Sequence, residues 1–396
     1  MLRTLNIARK TLTSALIKLM LQPLRVLPVK KNRVLFSSFL EKQYSCNPKY
    51  ISRELKRLYG DKVEIVWAFR KPDSFAFLKE EGIETVNARS FRFIRLALTS
   101  RVVCTNTYYK PTLPRRKKQF YLRTWHGGGA YKRVGRFIDM PLIERINTAM
   151  RQSGADLYLS SSEAFTRMTL RDSFGYTGEV LEKGMPRNDL LINKPGAEII
   201  DGIRERIGLK KGEKLCLYAP TYRKDAKVHA FQPDYGRLLK VLCDRFGGSW
   251  VMGYRSHHVT MYLDQNCIST GALNLTDYPD MQELLLAADC LITDYSSSIW
   301  DMALMEKPVF LFAPDLKDYL TERDFYMDIH TWPFPLSENM TELENRVIGF
   351  DEKDYSVQVK KHLSDLGCRE TGKAAYYAAR RIGYEIGLED RIYDDQ

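Results

Sequence analysis

Cys290-Leu291-Ile292-Thr293-Asp294-Tyr295-Ser296-Ser297-Ser298-Ile299-Trp300-Asp301 opens on an apolar run, turns through three consecutive hydroxyls and enters a helix expected at 298–306, continued by Met302-Ala303-Leu304-Met305-Glu306. Pro308-Val309-Phe310-Leu311-Phe312-Ala313-Pro314-Asp315 follows as a second apolar run of strand length. Strand, helix and strand in so few residues form a βαβ unit, whose strands must be parallel. The same alternation recurs on both sides of this stretch. Upstream in the carboxyl-terminal half, strands are expected at 214–221, 249–255 and 274–277, with helices at 197–207, 234–246 and 279–289 between them. In the amino-terminal half, strands are expected at 33–38, 63–69, 102–106, 120–126, 156–162 and 179–184, with helices at 48–59, 73–81, 139–152 and 163–174.

Asn193-Lys194-Pro195-Gly196 interrupts the pattern and separates the halves. The expected organisation is a basic segment at 1–32, one Rossmann-like domain at 33–194, a second at 195–368, and a helix with an acidic tail at 369–396. Open α/β sheets bind ligands beyond the carboxyl ends of their strands, so the residues there decide the chemistry.

After 290–293, the three serines give a helix cap, hydroxyl donors and backbone N–H groups at the positive end of a helix dipole. A cap needs only one hydroxyl, so Ser296, Ser297 and Ser298, with Thr293 and Asp294, read as an anion site. Strand 214–221 ends in Thr221 and Arg223, which an extended chain places on one side. Strand 249–255 ends in Arg255, with His257 sharing its face and His258 opposite. A guanidinium at either end suits a phosphate. Adjacent histidines point apart and have no acidic or Cys neighbours, so no metal site is expected.

In the amino-terminal half, Thr124-Trp125-His126-Gly127-Gly128-Gly129 ends a strand on a histidine and three glycines. A histidine exchanges protons near neutral pH, and its place before a glycine loop favours a general base over a purely structural role. Gly127 and Gly128 permit close approach of a ligand, and Lys132 and Arg133 suit phosphate oxygens. Gly184-Met185-Pro186-Arg187-Asn188-Asp189 reads, by itself, as a rigid turn. No G-x-x-x-x-G-K-[ST] loop occurs, and no G-x-G-x-x-G follows the first strand, which disfavours P-loop and ordinary dinucleotide chemistry.

The 396 residues are 44% apolar and 28% charged, with a net charge of +12, which excludes disordered and polytopic membrane classes and implies an anionic partner. Residues 1–33 hold eight Lys or Arg and no acid, with Leu5, Ala8, Leu12, Leu16 and Leu19 at helical spacing. The segment is too short in uncharged runs to span a bilayer and reads as a helix lying on an anionic membrane surface, the alternative being a surface helix capping the first domain. Residues 85–138 carry thirteen Lys or Arg and again no acid. Seven cysteines without a C-x-x-C pair read as reduced thiols of a cytoplasmic protein.

Together T-W-H-G with K-R-V-G, G-M-P-R-N-D, A-P-T-Y-R, R-S-H and L-I-T-D-Y-S-S-S-I-W-D resemble the CDP-glycerol glycerophosphotransferase family of teichoic acid and capsule synthesis. The resemblance covers roughly residues 33–360. It implies two Rossmann-like domains facing across a cleft, of glycosyltransferase-B type, and a peripheral place on the cytoplasmic face of the cell membrane. It further implies metal-independent transfer of a polyol phosphate from CDP-glycerol or CDP-ribitol to a hydroxyl of a lipid-linked saccharide or polymer, with release of CMP and no other cofactor. Under it, His126 and His257 are the catalytic histidines and the serine loop holds the donor phosphates. The chain departs from the family pattern at Gly128-Gly129-Ala130, where threonine and proline are usual, and at His258, where proline is usual. The rival readings are a nucleotide-sugar glycosyltransferase of the same fold and a basic nucleic-acid-binding protein, the latter disfavoured because no aromatic-basic RNA motif is present.

Overall fold

The computed structural model describes residues 2–138, 142–152, 154–221, 232–256 and 271–390. Two compact units emerge: residues 1–126, 134–189 and 369–396 form the first, and residues 127–133 and 190–368 form the second. Each is built on one parallel sheet, as the alternating pattern requires.

In the first unit the strands are β1 (Lys30–Ser37), β2 (Glu64–Phe69), β3 (Glu84–Asn87), β4 (Ser100–Thr105), β5 (Phe120–Arg123), β6 (Leu157–Leu159) and β7 (Glu179–Leu181). Their order is β3-β2-β1-β4-β5-β6-β7, so the chain reverses its direction of travel between β1 and β4. Both faces of the sheet are covered, which is why its central strands are nearly continuous in apolar residues. On one face Val34, Phe36, Trp67 and Leu122 pack with Ile51 and Leu55 of the helix Cys46–Tyr59 and with Ala378, Ala379 and Ile382 of the helix Ala374–Glu385. On the other, Leu35, Val66 and Val86 pack with Phe93, Leu96 and Ala97 of the helix Phe91–Thr99. Fully burying each such large side chain contributes about 1.5–3 kcal/mol.

The second unit holds β8 (Glu213–Tyr218), β9 (Ser249–Tyr254), β10 (Ala272–Asn274), β11 (Cys290–Thr293), β12 (Val309–Phe312) and β13 (Leu336–Ser337), ordered β10-β9-β8-β11-β12-β13. Its reversal lies between β8 and β11. Tyr218 is level with Tyr254 on one side and with Ile292 on the other, so Ala219, Arg255 and Thr293 leave the sheet side by side.

Two edge strands, β3 and β13, carry too little apolar sequence to be recognised in advance. The helix Ala374–Glu385, expected from sequence as a separate element after the second domain, belongs to the first unit. Arg101 reaches the Glu385 carbonyl at 2.8 Å and its carboxylate at 2.5 Å, and Tyr59 donates to Glu389 at 2.9 Å. Residues Leu2–Met20 form one helix. Its Leu12, Leu16, Leu19 and Met20 are exposed, as are Leu142 and Ile146 of the helix Leu142–Gln152, which it meets through Asn147 Nδ2 and Thr11 Oγ1 at 2.8 Å. Among the described residues, no helix is long and apolar enough to cross a membrane. Cys46, Cys104, Cys216 and Cys290 are buried free thiols.

Candidate functional site

His126 stands just beyond β5, at the carboxyl edge of the first sheet. Trp125 before it is held at φ +56°, a conformation that a bulky residue adopts only when its surroundings fix it. Those surroundings are specific. Asn47 Nδ2 donates to the carbonyls of Thr124 (3.3 Å) and Trp125 (3.1 Å), while its Oδ1 accepts from the backbone N–H of Arg187 (3.1 Å). The buried Arg187 guanidinium then donates to the His126 carbonyl. Glu370 in turn accepts from Met185 N (2.8 Å) and Asn188 Nδ2 (2.9 Å). Asp189 caps the last helix through Ala374 N and Ala375 N at 2.9 and 2.7 Å. The G-M-P-R-N-D turn is therefore rigid, as its sequence suggests, and its arginine also fixes the backbone of His126.

The imidazole stacks on Trp125, with ring centroids 4.5 Å apart, and its Nδ1 lies 3.0 Å from the Asn106 carbonyl oxygen. A carbonyl only accepts, so Nδ1 carries the proton and Nε2 the lone pair. This is the tautomer a general base needs. Asn106 directly follows β4, and nothing in the local spacing around His126 announces it, because the contact joins residues twenty apart through a backbone oxygen.

The following residues, 127–133, fold into the second unit. A Cβ on Gly128 would lie 2.1 Å from Trp300 Cδ1, and one on Gly129, at φ +62°, would lie 2.5 Å from Tyr131 and 2.8 Å from Trp300. Trp300 is fully buried, so the close approach that these glycines permit is made to an indole. Tyr131 is buried against Trp332 and its hydroxyl shares a hydrogen bond with His362 Nε2 at 3.1 Å; burial pulls the His362 pKa down to about 4. Lys132 bridges to Phe325, and Arg133 pairs with Asp324 at 2.7 Å.

At the carboxyl edge of the second sheet, Arg255 Nη1 is buried without a hydrogen-bond partner among the described residues, and desolvation lowers the guanidinium pKa to about 10. The Asp280 carboxylate acts on this cation, and the unpartnered Nη1 leaves one donor over for an anionic ligand. Thr221 and Asp294 are brought together: the carboxylate accepts from Thr221 N at 2.9 and 3.0 Å, from Thr221 Oγ1 at 2.5 Å and from Tyr295 N at 2.5 Å. Thr293 Oγ1 donates to the Ala219 carbonyl at 2.7 Å, tying β11 to the end of β8. Ser298 donates through N and Oγ to Ser296 Oγ at 3.3 and 2.9 Å, while Ser296 and Ser297 remain half exposed. The helix that follows, Ser298–Ala303, is short. Arg223, His257 and His258 lie outside the described residues. Among the described residues, no cluster of His, Cys, Asp and Glu is arranged to hold a metal ion.

Two parallel sheets that each reverse order, with polar side chains gathered at their carboxyl edges, define the Rossmann-like α/β class, whose ligands bind at such edges. Residues 19–375 match the model of the CDP-glycerol:poly(glycerophosphate) glycerophosphotransferase family, and the chain belongs to that family. It is 29% identical over 345 residues to a teichoic acid poly(glycerol phosphate) polymerase of Bacillus subtilis, covering 84% of this chain and 46% of that protein. With a teichoic acid glycerol-phosphate transferase of Staphylococcus aureus it shares 30% identity over 335 residues, 81% of this chain and 85% of the relative. The chain thus spans about half the length of the first of these and most of the second. A solved structure of the wall teichoic acid polymerase TagF superposes with a TM-score of 0.80 at 27% identity, over 96% of this chain and 98% of that one. Another TagF structure, of a histidine variant soaked with CDPG, gives 0.79.

Proposed function

We propose that this protein transfers glycerol phosphate, or a related polyol phosphate, from CDP-glycerol to a hydroxyl of a lipid-linked acceptor in teichoic acid or related surface-polymer synthesis. The observation that carries the reading is the His126–Asn106 hydrogen bond, which fixes the basic tautomer at a strand's carboxyl end. The acceptor oxygen attacks the β-phosphorus of the donor, and its proton passes to His126 Nε2. The bond from that phosphorus to the bridging oxygen breaks, and CMP leaves with the electron pair. The first unit acts as the acceptor domain and the second as the donor domain. Arg255, Arg223, His257 and the Ser296–Ser298 turn meet the charge that develops on the phosphates, assisted by Lys132 and Arg133 of the 127–133 loop, while Thr221 holds Asp294 in place. These groups suffice without a metal ion. Support for a CDP-linked donor comes from the family and from the TagF variant soaked with CDPG.

The protein works peripherally on the cytoplasmic face of the membrane, held by the basic helix Leu2–Met20. Its exposed Leu12, Leu16, Leu19 and Met20, joined by Leu142 and Ile146, form an apolar surface flanked by Arg9, Lys10 and Arg145. Purified protein is incubated with CDP-glycerol or CDP-ribitol and a lipid-linked saccharide, and the products are weighed by mass spectrometry. The expected result is addition of one or more polyol phosphate units with stoichiometric CMP. Addition of a sugar without phosphorus, with release of a nucleoside diphosphate, overturns the proposal.

A further inference from the structure

Beside His126, the first unit holds a cavity of about 430 Å³ whose lining includes Glu41, Arg70, Arg89, Tyr108 and Lys110. It is built from the loops that leave β1, β2, β3 and β4, and those after β1 and β4 also contact the histidine. Phe39 places its ring 5.6 Å from that of His126, and Leu40 and Glu41 then enter the cavity wall. Asn106 fixes His126 Nδ1, and Tyr108 lies two residues further on. Two residues of extended chain reach at most about 7 Å, so the cavity adjoins the imidazole along both loops.

The cavity is shaped at a conformational cost. Phe39, Leu40 and Glu41 all have positive φ, at 45°, 58° and 64°. Three successive non-glycine residues in this region are unfavourable and persist only where the surroundings hold them. Here Phe39 N donates to Asn106 Oδ1 at 2.8 Å, and Arg70 N donates to the Glu41 carbonyl at 2.7 Å. The turn delivers one carboxylate among three cations. Glu41 lies 3.5 Å from Lys110 and 3.9 Å from Arg70, longer than a charge-assisted hydrogen bond, whereas Arg33–Glu64 and Arg92–Glu84 in the same unit close to 2.7 Å. Arg89 is exposed and has no carboxylate partner among the described residues. Where β1 and β4 end side by side, Ser38 Oγ and Asn106 Nδ2 are fully buried and lack hydrogen-bond partners among the described residues. The cavity wall is therefore cationic, and two unsatisfied polar atoms lie buried behind it where β1 and β4 end.

We propose that this cavity is an anion subsite that receives a phosphate diester of the acceptor chain and so sets the acceptor's terminal hydroxyl at His126. The assignment rests on the transfer reading given above. Glu41 sets the affinity from the opposite side, keeping the subsite from holding product too tightly.

The test uses the full chain and three probes in calorimetric titration: bis(glyceryl) phosphate as the diester, inorganic phosphate, and CDP-glycerol. In the Arg70→Gln/Arg89→Gln variant, diester affinity and apparent acceptor affinity fall about tenfold or more, as expected for loss of two phosphate-directed cations. CDP-glycerol affinity stays within twofold. Glu41→Gln tightens diester binding several-fold, a gain that a structural lesion does not give. Arg70→Lys/Arg89→Lys restores binding and answers the case in which the glutamine variant fails to fold. Inorganic phosphate binding as tightly as the diester overturns the acceptor assignment, as does a variant that loses CDP-glycerol affinity instead. If the wild type transfers no polyol phosphate while the diester still binds and responds to these substitutions, the function proposed above fails and the subsite stands. If transfer proceeds normally and diester affinity is the same in wild type and variant, the subsite fails alone.

Discussion

Replacing Gly128 by alanine adds a single methyl group where there is no room for it. The new Cβ would sit 2.1 Å from Trp300 Cδ1, 2.6 Å from Nε1 and 2.8 Å from Cγ, where ordinary contact begins at 3.4 Å. Three atoms of one rigid ring are involved, and Trp300 is fully buried among residues of the second unit, so neither partner moves cheaply. Forcing a methyl group into a packed core costs about 1–3 kcal/mol, and the depth of this overlap puts the expected value at about 3 kcal/mol. For a unit of this size that corresponds to a fall of about 6–12 °C in its melting temperature. Trp300→Ala alone destabilises by about 3–5 kcal/mol through the cavity it opens. In the double variant the methyl group enters that cavity, so the two losses fall short of their sum by about 2 kcal/mol. Urea titration monitored by circular dichroism on the four proteins measures each term. Strictly additive losses, or a Gly128→Ala protein as stable as wild type, would falsify the packing account of the glycine run.

His126→Ala is expected to lower kcat by about 10²–10⁴-fold while leaving CDP-glycerol affinity nearly unchanged, because a base acts on the chemical step; single-turnover rates near wild type contradict the role. Arg255→Met removes the desolvated cation of the second unit and should weaken CDP-glycerol binding by at least about tenfold in direct titration, with acceptor affinity unaffected. His362 has a folded-state pKa of about 4, below its unfolded value of 6.5, so its contribution is fully present above pH 6.5 and is lost as pH falls toward 4. The difference corresponds to about 3 kcal/mol, and His362→Asn should flatten that part of the stability–pH curve; an unchanged slope refutes the assignment. Removing residues 1–28 should abolish sedimentation with anionic liposomes, and unchanged binding would dismiss the membrane role of the first helix.

Much of this molecule is legible in its sequence because parallel strands buried on both faces must be short apolar runs, and Val34–Phe36, Ile65–Phe69 and Leu291–Ile292 are such runs. What escapes is what leaves no local pattern. Glu84–Asn87 and Leu336–Ser337 are edge strands with little to bury. Asn47, Asn106 and Glu370 reach the His126 region from 79, 20 and 244 residues away, through backbone groups that any residue offers. The site motifs are visible as departures from ordinary strand and helix composition, yet their partners are not. Gly128 and Trp300 are each conspicuous in the sequence, but only the packed core shows that one requires the other. Likewise, Arg187 reads as part of a turn until its guanidinium is seen on the His126 carbonyl.

The interleaving of the two units bears on biosynthesis. Every residue of the second unit has been synthesised once position 368 is made, whereas the first unit still lacks the helix that supplies Ala378, Ala379 and Ile382 to its core. The domain translated first is thus the last to be completed, reversing the vectorial order usual for multidomain chains. Until the final segment emerges, the face of the sheet that it covers is available to chaperones, and a premature stop after residue 368 would leave a finished carboxyl-terminal unit joined to an unfinished partner.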